Sequence, residues 1–284
     1  MTKILALLDG SIYAQSVCDY AAWAAVPSGA EVELLHLLGR RGTPSALDDL
    51  SGNIGLGARS ALLEELAELD AQRARLALKR GRAILDDAET RLKAAGVGLV
   101  TAKLRSMDLV EAVRELEADA DLVVIGKRGE AADFAKLHLG SNLERVLRTS
   151  SRPVLVASRA FRPIEKFLIA FDGGRSAMKA VDHVARDPLF AGLTCSLVMA
   201  GNGNAEAQRK MNDAEAVLRA GSIEVEGAFI EGHPETVIHD KVVAEGIDLL
   251  VMGAYGHSRI RSFIIGSTTS EMIRSVHIPV MLFR

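Results

Sequence analysis

The chain has 284 residues, with 34 basic and 37 acidic side chains, a formal charge of −3 and 49% hydrophobic residues. That balance supplies apolar material for one or two cores and excludes both a charge-dominated disordered chain and a strongly basic nucleic-acid surface. Cys18 and Cys195 form no CxxC motif and no disulfide framework, so a reducing compartment, the cytoplasm, is expected.

The N-terminal stretch MTKILALLDGS turns acidic and polar after the five apolar residues Ile4 to Leu8, too short a run for a signal sequence or a membrane span. It is better read as a strand, KILALL, ending on Asp9 and Gly10. A loop-like segment, GRRGTPSALDDLSGNIGLG, follows at 39–57, and then the charged run from Ala58 to Gly96. That run is rich in Ala, Leu, Glu and Arg, which lose little entropy in a helix, although Gly81 weakens the case for one unbroken helix. It reads as a supporting helix, a dimer contact or a partner-recognition helix. DLVVIGKRG (121–129) is a short buried strand running into a glycine-containing loop, and LGSNLERVLRTSSRPVLVA (139–157) is a helix followed by a strand.

After RAFRP (159–163) the pattern begins again. KFLIAFDGGRS (166–176) repeats KILALLDGS, DLLVMGAYG (248–256) repeats DLVVIGKRG, and IGSTTSEMIRSVHIPVMLF (265–283) repeats LGSNLERVLRTSSRPVLVA. Three matched segments in one order define two modules, 1–158 and 163–284. From Asp9 to Gly126 is 117 positions and from Asp172 to Gly253 is 81, so the first module carries 36 extra residues, assigned to the loop and charged run. In the second module, strands are expected at KFLIAF, CSLVMA, IEVEGAFI, DLLVMG and PVMLF. Helices are expected over Ser176–Arg186, Ala205–Arg219, Pro234–Glu245 and Ser267–Arg274. The fold class is therefore α/β, two tandem five-stranded parallel-sheet modules with flanking helices. Periodicity leaves strand order open, and the terminal strands could pair within one chain or between chains.

Asp172 falls where the first strand of its module ends and Gly253 where the fourth ends. If those strands are neighbours, both face one crevice at the carboxyl edge of the sheet, where doubly wound folds bind ligands. Gly253 and Gly256 allow close backbone approach, while Gly266 and Ser267 offer free amides and a hydroxyl at a helix start, suited to phosphate. Tight turns and an ordinary helix start explain the same residues without a ligand. No GxxxxGK[ST] loop occurs, GNGNAE (201–206) reads as a turn, and His233, His239 and His257 lack the spacing of a compact metal motif.

The combined pattern resembles the universal stress protein family in its tandem-domain form. The carrying motif is Gly, two residues, Gly, nine residues, Gly-Ser/Thr, and GAYGHSRIRSFIIGS matches it with Gly253, Gly256, Gly266 and Ser267. The resemblance implies an adenine-nucleotide α-hydrolase-like fold and a pocket for ATP or a related adenine nucleotide built from Asp172, Met252, Gly253, Gly256, Gly266 and Ser267. Met252 would line an adenine slot and Asp172 would accept a ribose or base hydrogen bond; core packing and a helix-start role are their alternatives. Arg259 and Arg261 could approach the phosphates or be a solvated basic loop.

The first module matches with Asp9, Gly126, Gly129, Gly140 and Ser141, but ten residues separate Gly129 from Gly140, and Glu130 and Asp133 bring acidic charge to the loop. The second module is thus the expected better site, with Lys127 and Arg128 keeping binding potential in the first. Mg²⁺ could accompany the nucleotide, and Asp172 is the candidate to hold it. No general base is evident, so nucleotide binding coupled to module or partner contacts is favoured over turnover. A ligand-independent tandem interaction scaffold and a slow Mg²⁺-dependent nucleotide hydrolase are the alternatives. Self-association is compatible with the pattern; no protein partner, nucleic acid or membrane is indicated.

Overall fold

The computed structural model describes residues 1–39, 56–129, 140–254 and 266–284. In the first module the order is β1 (Lys3–Leu8), α1 (Ala14–Ala25), β2 (Glu31–Leu37), α2 (Leu56–Ala94), β3 (Val100–Arg105), α3 (Leu109–Leu116), β4 (Leu122–Gly126), α4 (Ser141–Thr149) and β5 (Val154–Ala157). The second repeats it as β6 (Lys166–Ala170), α5 (Arg175–Arg186), β7 (Thr194–Ala200), α6 (Ala205–Ala220), β8 (Glu224–Ile230), α7 (Pro234–Glu245), β9 (Leu249–Gly253), α8 (Ser267–Ser275) and β10 (Val280–Phe283). The strands and helices expected for the second module all form, with ends shifted by a residue or two.

Among the described residues the strands make one continuous sheet in the order β3-β2-β1-β4-β5-β10-β9-β6-β7-β8. Within each module every pairing is parallel, and β4 and β9 bury four consecutive aliphatic residues because helices cover both faces. Alternate strand residues feed two cores. One takes Ile4, Ala6, Phe167, Ile169 and Met281 against α1, α2, α5 and α6; the other takes Leu5, Leu7, Leu168, Leu250 and Leu282 against α3, α4, α7 and α8. Both cores cross the module boundary.

That boundary is an antiparallel pairing of β5 with β10, Val156 opposite Val280 and Val154 opposite Leu282. The terminal strands, whose pairing the repeat leaves open, therefore join within one chain. Each is only four residues long and buried throughout. Burying each such aliphatic side chain is worth ~1.5–3 kcal/mol, more than the ~0.5–1.5 kcal/mol net of a ladder hydrogen bond, so packing dominates the junction. The connecting segment is fastened to α1: the Tyr20 hydroxyl lies 2.9 Å from Ser158 Oγ, Ser16 Oγ donates to the Ser158 carbonyl at 2.7 Å, and the Tyr20 and Phe161 rings meet edge-on.

α2 is one helix of 39 residues that runs through Gly81. A Cβ at that position would lie 2.8 Å from Leu104 Cδ1 and 2.9 Å from His36 Cδ2. The missing side chain lets the helix approach β2 and β3 closely, and the packing of Leu85, Ala88 and Leu92 behind it outweighs the ~1 kcal/mol propensity cost of a helical glycine. Of the loop-like segment at 39–57, residues 40–55 lie outside the described residues, and Leu56 and Gly57, read as loop, already belong to α2.

Among the described residues of the first module, Glu33 and Glu117 are buried acidic side chains. Glu33, 1% exposed on β2, is held by Lys3 of β1 at 2.6 Å and by Lys103 of β3. Burial opposes its ionisation, but hydrogen bonds from Lys103 and Lys3 prevail and keep its carboxyl below the usual glutamate range. Since the folded carboxyl binds its proton more weakly than the unfolded one, the contribution is complete above the unfolded pKa of ~4.3. It is lost as pH falls through the lower folded value. Urea unfolding of Glu33→Gln should therefore show a shallower loss of stability below pH ~4.5 than wild type; equal slopes would contradict the role of this cluster.

Candidate functional site

The geometry begins at the end of β1. Asp9 Oδ1 accepts from the backbone N–H of Ser11 at 3.0 Å, and Ser11 Oγ accepts from the N–H of Tyr13. These two local bonds turn the chain into α1 and fix the carboxylate at the carboxyl edge of the sheet. β1 lies beside β4, Leu7 opposite Ile125, so Gly126 emerges next to Asp9. This is the point where successive connections leave in opposite directions, β2 to one side of β1 and β4 to the other.

The glycines are required by contact. A Cβ on Gly126 would stand 2.7 Å from Tyr13 Cβ, and one on Gly129 would stand 3.0 Å from Asp9 Oδ2. Gly140 comes back over this turn, its Cβ direction 3.5 Å from Arg128 Cα and 3.6 Å from the nitrogen of Gly129. It is the N-cap of α4 without a side-chain cap, so the first amides of the helix, at Ser141 and Asn142, face the turn without a capping side chain.

Together these parts enclose a cavity of about 290 Å³ lined by Asp9, Tyr13, Met107, Ile125, Arg128 and Asn142, among others. Its far wall is set by Asp108, which caps α3 by accepting from Val110 N at 2.9 Å and pairs with Arg145 at 2.5 Å. The hydrogen bond from Arg145, with the cap, holds the Asp108 carboxyl below the usual range. The lining combines apolar side chains (Leu7, Met107, Leu109, Ile125) with Gly126, Gly129, Arg128 and the first turn of α4. Such a site accommodates a flat apolar ring and an anion at once.

The second module repeats the frame. Asp172 follows β6 and accepts from Gly174 N at 2.8 Å, as Asp9 does from Ser11. β6 lies beside β9, Ala170 opposite Met252, so the adjacency on which the sequence argument depends is present and Asp172 and Gly253 share one edge. Gly253 backs onto the start of α5, where a Cβ would meet Ser176 Oγ at 2.5 Å and Ala177 N at 3.1 Å. Gly266 is the N-cap of α8, again without a side-chain cap, and Ser267 opens the helix. Gly266 N approaches the Ala254 carbonyl at 3.5 Å and Thr269 Oγ1 donates to the same carbonyl at 3.3 Å, closing the helix start onto the strand end. Met252 and its counterpart Ile125 both pack in the core shared with Leu250 and Leu282, and Ile125 also lines the cavity of the first module. Gly256, His257, Arg259 and Arg261 lie outside the described residues, as do Glu130 and Asp133 of the first loop and the extra residue between Gly129 and Gly140. The described cavity thus belongs to the first module, although the motif spacing favours the second.

Tyr13, Met107, Asn142 and Arg145 were not singled out from sequence. The repeat marks only residues common to both modules; Tyr13 and Met107 lie outside the matched segments, and Asn142 and Arg145 are replaced by Thr268 and Glu271 in the second module. Asn142 alone carried a signal, sitting directly after Gly140-Ser141 where free helix amides are expected. Neither Cys18 nor Cys195 lines the cavity, and burial pushes the Cys18 thiol up to about 12 and the Cys195 thiol up as well, so neither is a poised nucleophile.

A doubly wound α/β tandem with glycines at the switch point of each module defines a recognisable class of α/β fold, and the comparisons narrow it. The universal stress protein family model matches residues 1–158 and 196–284, and the chain belongs to that family. It is 38% identical over 287 residues to the universal stress protein Slr1230 of Synechocystis, covering 100% of both chains. A universal stress protein of Mycolicibacterium smegmatis is 23% identical over 302 residues, covering 99% of this chain and 96% of that one. Among solved structures, a universal stress protein from Archaeoglobus fulgidus superposes with a TM-score of 0.67 at 20% identity, covering 99% and 96% of the two chains, which supports the shared fold.

The two glycines of the first crevice differ in tolerance. Gly126→Ala forces two rigid carbons together and should cost ~1–3 kcal/mol, whereas Gly140→Ala meets only ordinary van der Waals distances and should stay within ~0.5 kcal/mol of wild type. Thermal unfolding of the two variants side by side checks this; equal effects would contradict the packing.

Proposed function

We propose that this universal stress protein binds ATP or a related adenine nucleotide in the β1/β4 crevice and that the bound state alters contacts between the modules. The carrying observation is the closure of the first cavity by Gly126, Gly129 and the uncapped start of α4 beside Arg128, with apolar lining from Met107 and Ile125. The base would lie near Met107 and Ile125. The phosphates would lie against backbone amides at Gly129 and Ser141, where helix-end N–H groups and the Arg128 guanidinium favour negative charge.

No cluster of three His, Cys, Asp or Glu side chains among the described residues could hold a metal ion by itself. Mg²⁺ therefore enters this reading with the phosphates, and Asp9 is the carboxylate at hand to approach it. The equivalent edge of the second module, with Asp172, Gly253, Gly266 and Ser267, is proposed as a second site of the same kind.

The route to the other module is Lys127. From the loop after β4 its Nζ donates to the Val276 carbonyl at 2.7 Å and approaches the Arg274 carbonyl at 3.4 Å, at the C-terminal end of α8. α8 begins at Gly266 and Ser267, the proposed phosphate edge of the second module. In the opposite direction Arg284 Nη1 donates to the Arg148 carbonyl at the end of α4, whose start forms the first crevice. Movement of the first glycine turn on ligand binding would thereby reach α8, which opens the second edge, provided ligand favours one arrangement over the other.

Isothermal titration tests the binding claim. ATP with Mg²⁺ should give measurable heat, and Arg128→Glu should weaken ATP at least tenfold, ~1.4 kcal/mol, while leaving adenosine nearly unaffected. Absence of ATP binding to the wild type would move the function to a ligand-independent scaffold. The Lys127 bridge has its own signature. Burial, reinforced by the charge of Arg128, lowers its ammonium to about 8. The unfolded chain then binds that proton more tightly than the folded one, so stability rises with pH between about 8 and the unfolded value of ~10.4. Wild type should gain stability relative to Lys127→Met across that interval; a constant difference between them would contradict a buried, charge-bearing link.

A further inference from the structure

The N-terminal half of α2 projects from the body. From Leu85 onward the helix is anchored by buried Leu85, Ala88 and Leu92, but over 62–80 every residue is exposed except Leu62 and Ala74, which are half-buried. At 1.5 Å per residue this arm is ~28 Å long, and on it Leu66 is 36%, Leu69 43% and Leu76 67% exposed. An exposed row of leucines that long is not an ordinary solvent face.

The row has a period. Leu62, Leu66, Leu69, Arg73, Leu76 and Arg80 follow one another at alternating steps of four and three, the seam of a two-helix coiled coil. This seam lies roughly 110° around the helix from the Gly81, Leu85, Ala88 and Leu92 stripe that faces the sheet, so the body does not block a second helix laid against it.

Charge decides what that second helix is. The first half of the arm is acidic, with Glu64, Glu65, Glu68 and Asp70, and the second half is basic, with Arg73, Arg75, Lys79 and Arg80. Within the helix, Arg73 reaches back to Asp70 at 3.7 Å across the division. Laid antiparallel about a two-fold axis near residue 71, two copies place Leu66 against Leu76 of the other twice over. Leu62 then faces Arg80 and Leu69 faces Arg73, long aliphatic stems that cover leucine while their charged heads stay in water. The flanking Glu65 of each copy falls beside Lys79 of the other. A parallel pair would instead stack acidic on acidic and basic on basic.

We infer that the projecting arm of α2 is a homodimerisation element that binds the same arm of a second chain in antiparallel register. The interface is isologous, as a two-fold dimer requires, and is separate from the β5–β10 junction and from both crevices, so it stands independently of the nucleotide reading. The dimer carries two ten-stranded sheets at opposite ends of a helical bridge.

Sedimentation equilibrium on the full chain between ~1 and ~100 µM tests it, because a coiled-coil dimer with a micromolar or tighter Kd is populated there. Wild type should be dimeric, and Leu66→Glu/Leu76→Glu should be monomeric with unchanged far-UV circular dichroism. Glu65→Lys and Lys79→Glu should each weaken the dimer about tenfold, and the Glu65→Lys/Lys79→Glu double variant should recover wild-type affinity, because residues 65 and 79 are too far apart on one helix to repair each other. A monomeric wild type at ~100 µM, a dimer indifferent to the leucine substitutions, or charge variants that do not rescue one another would each overturn the inference.

Discussion

The antiparallel junction of β5 with β10 is the interaction on which the remainder of the molecule depends. A parallel five-stranded module leaves one buried-type strand at its edge, with aliphatic side chains on both faces and backbone groups without partners. Here each module supplies the other's missing neighbour: Leu155 and Val156 meet Met281 and Val280, and the sheet continues without interruption through ten strands. Because the junction is antiparallel, it relates the modules by an approximate two-fold axis. That symmetry brings the loop after β4 over the end of α8 and Arg284 over the end of α4. The inter-module bonds follow from the strand pairing and are not additional devices.

Within each module a second constraint follows from the first. Only when β1 and β6 lie between strands that depart to opposite sides can Asp9 and Asp172 share an edge with the glycine turns. Asp9 and Asp172 are then used alike, each accepting the N–H two residues on and so setting the angle at which the next helix leaves. Gly126 and Gly253 are used alike too, each pressed against the start of that helix. The crevice is a consequence of close helix–strand packing around these glycines, and the starts of α4 and α8, which lack side-chain caps, supply its amide-bearing edge.

Much of this was readable from the chain. The repeated Asp-Gly starts, the DLVVIG and DLLVMG strands and the Gly-Ser helix starts determine two α/β modules, because each combines a period with a stop signal. The order of strands was not readable, since buried parallel strands look alike in composition, and nor was the partner of β5 and β10. Gly81 misleads in isolation: its propensity cost argues for a break, and only the proximity of His36 and Leu104 explains an unbroken helix. Met107 and Asp108 enter the crevice from the β3–α3 connection, outside any repeated motif, and Arg145 lies inside a repeated segment where the second module has Glu271, so tertiary placement alone reveals them. Met252, at a clear motif position, is buried in the same core as its counterpart Ile125, which also lines the first cavity.

The central claim is that a ligand in one crevice is felt across the sheet. Hydrogen–deuterium exchange of the full chain with and without ATP and Mg²⁺ addresses it directly. The account predicts slower exchange in the Gly126–Gly129 turn and at the start of α4, accompanied by altered exchange in the last turn of α8, where Lys127 is bound. Identical exchange in the two states, or protection that stops at the first crevice and leaves α8 unchanged, would contradict it.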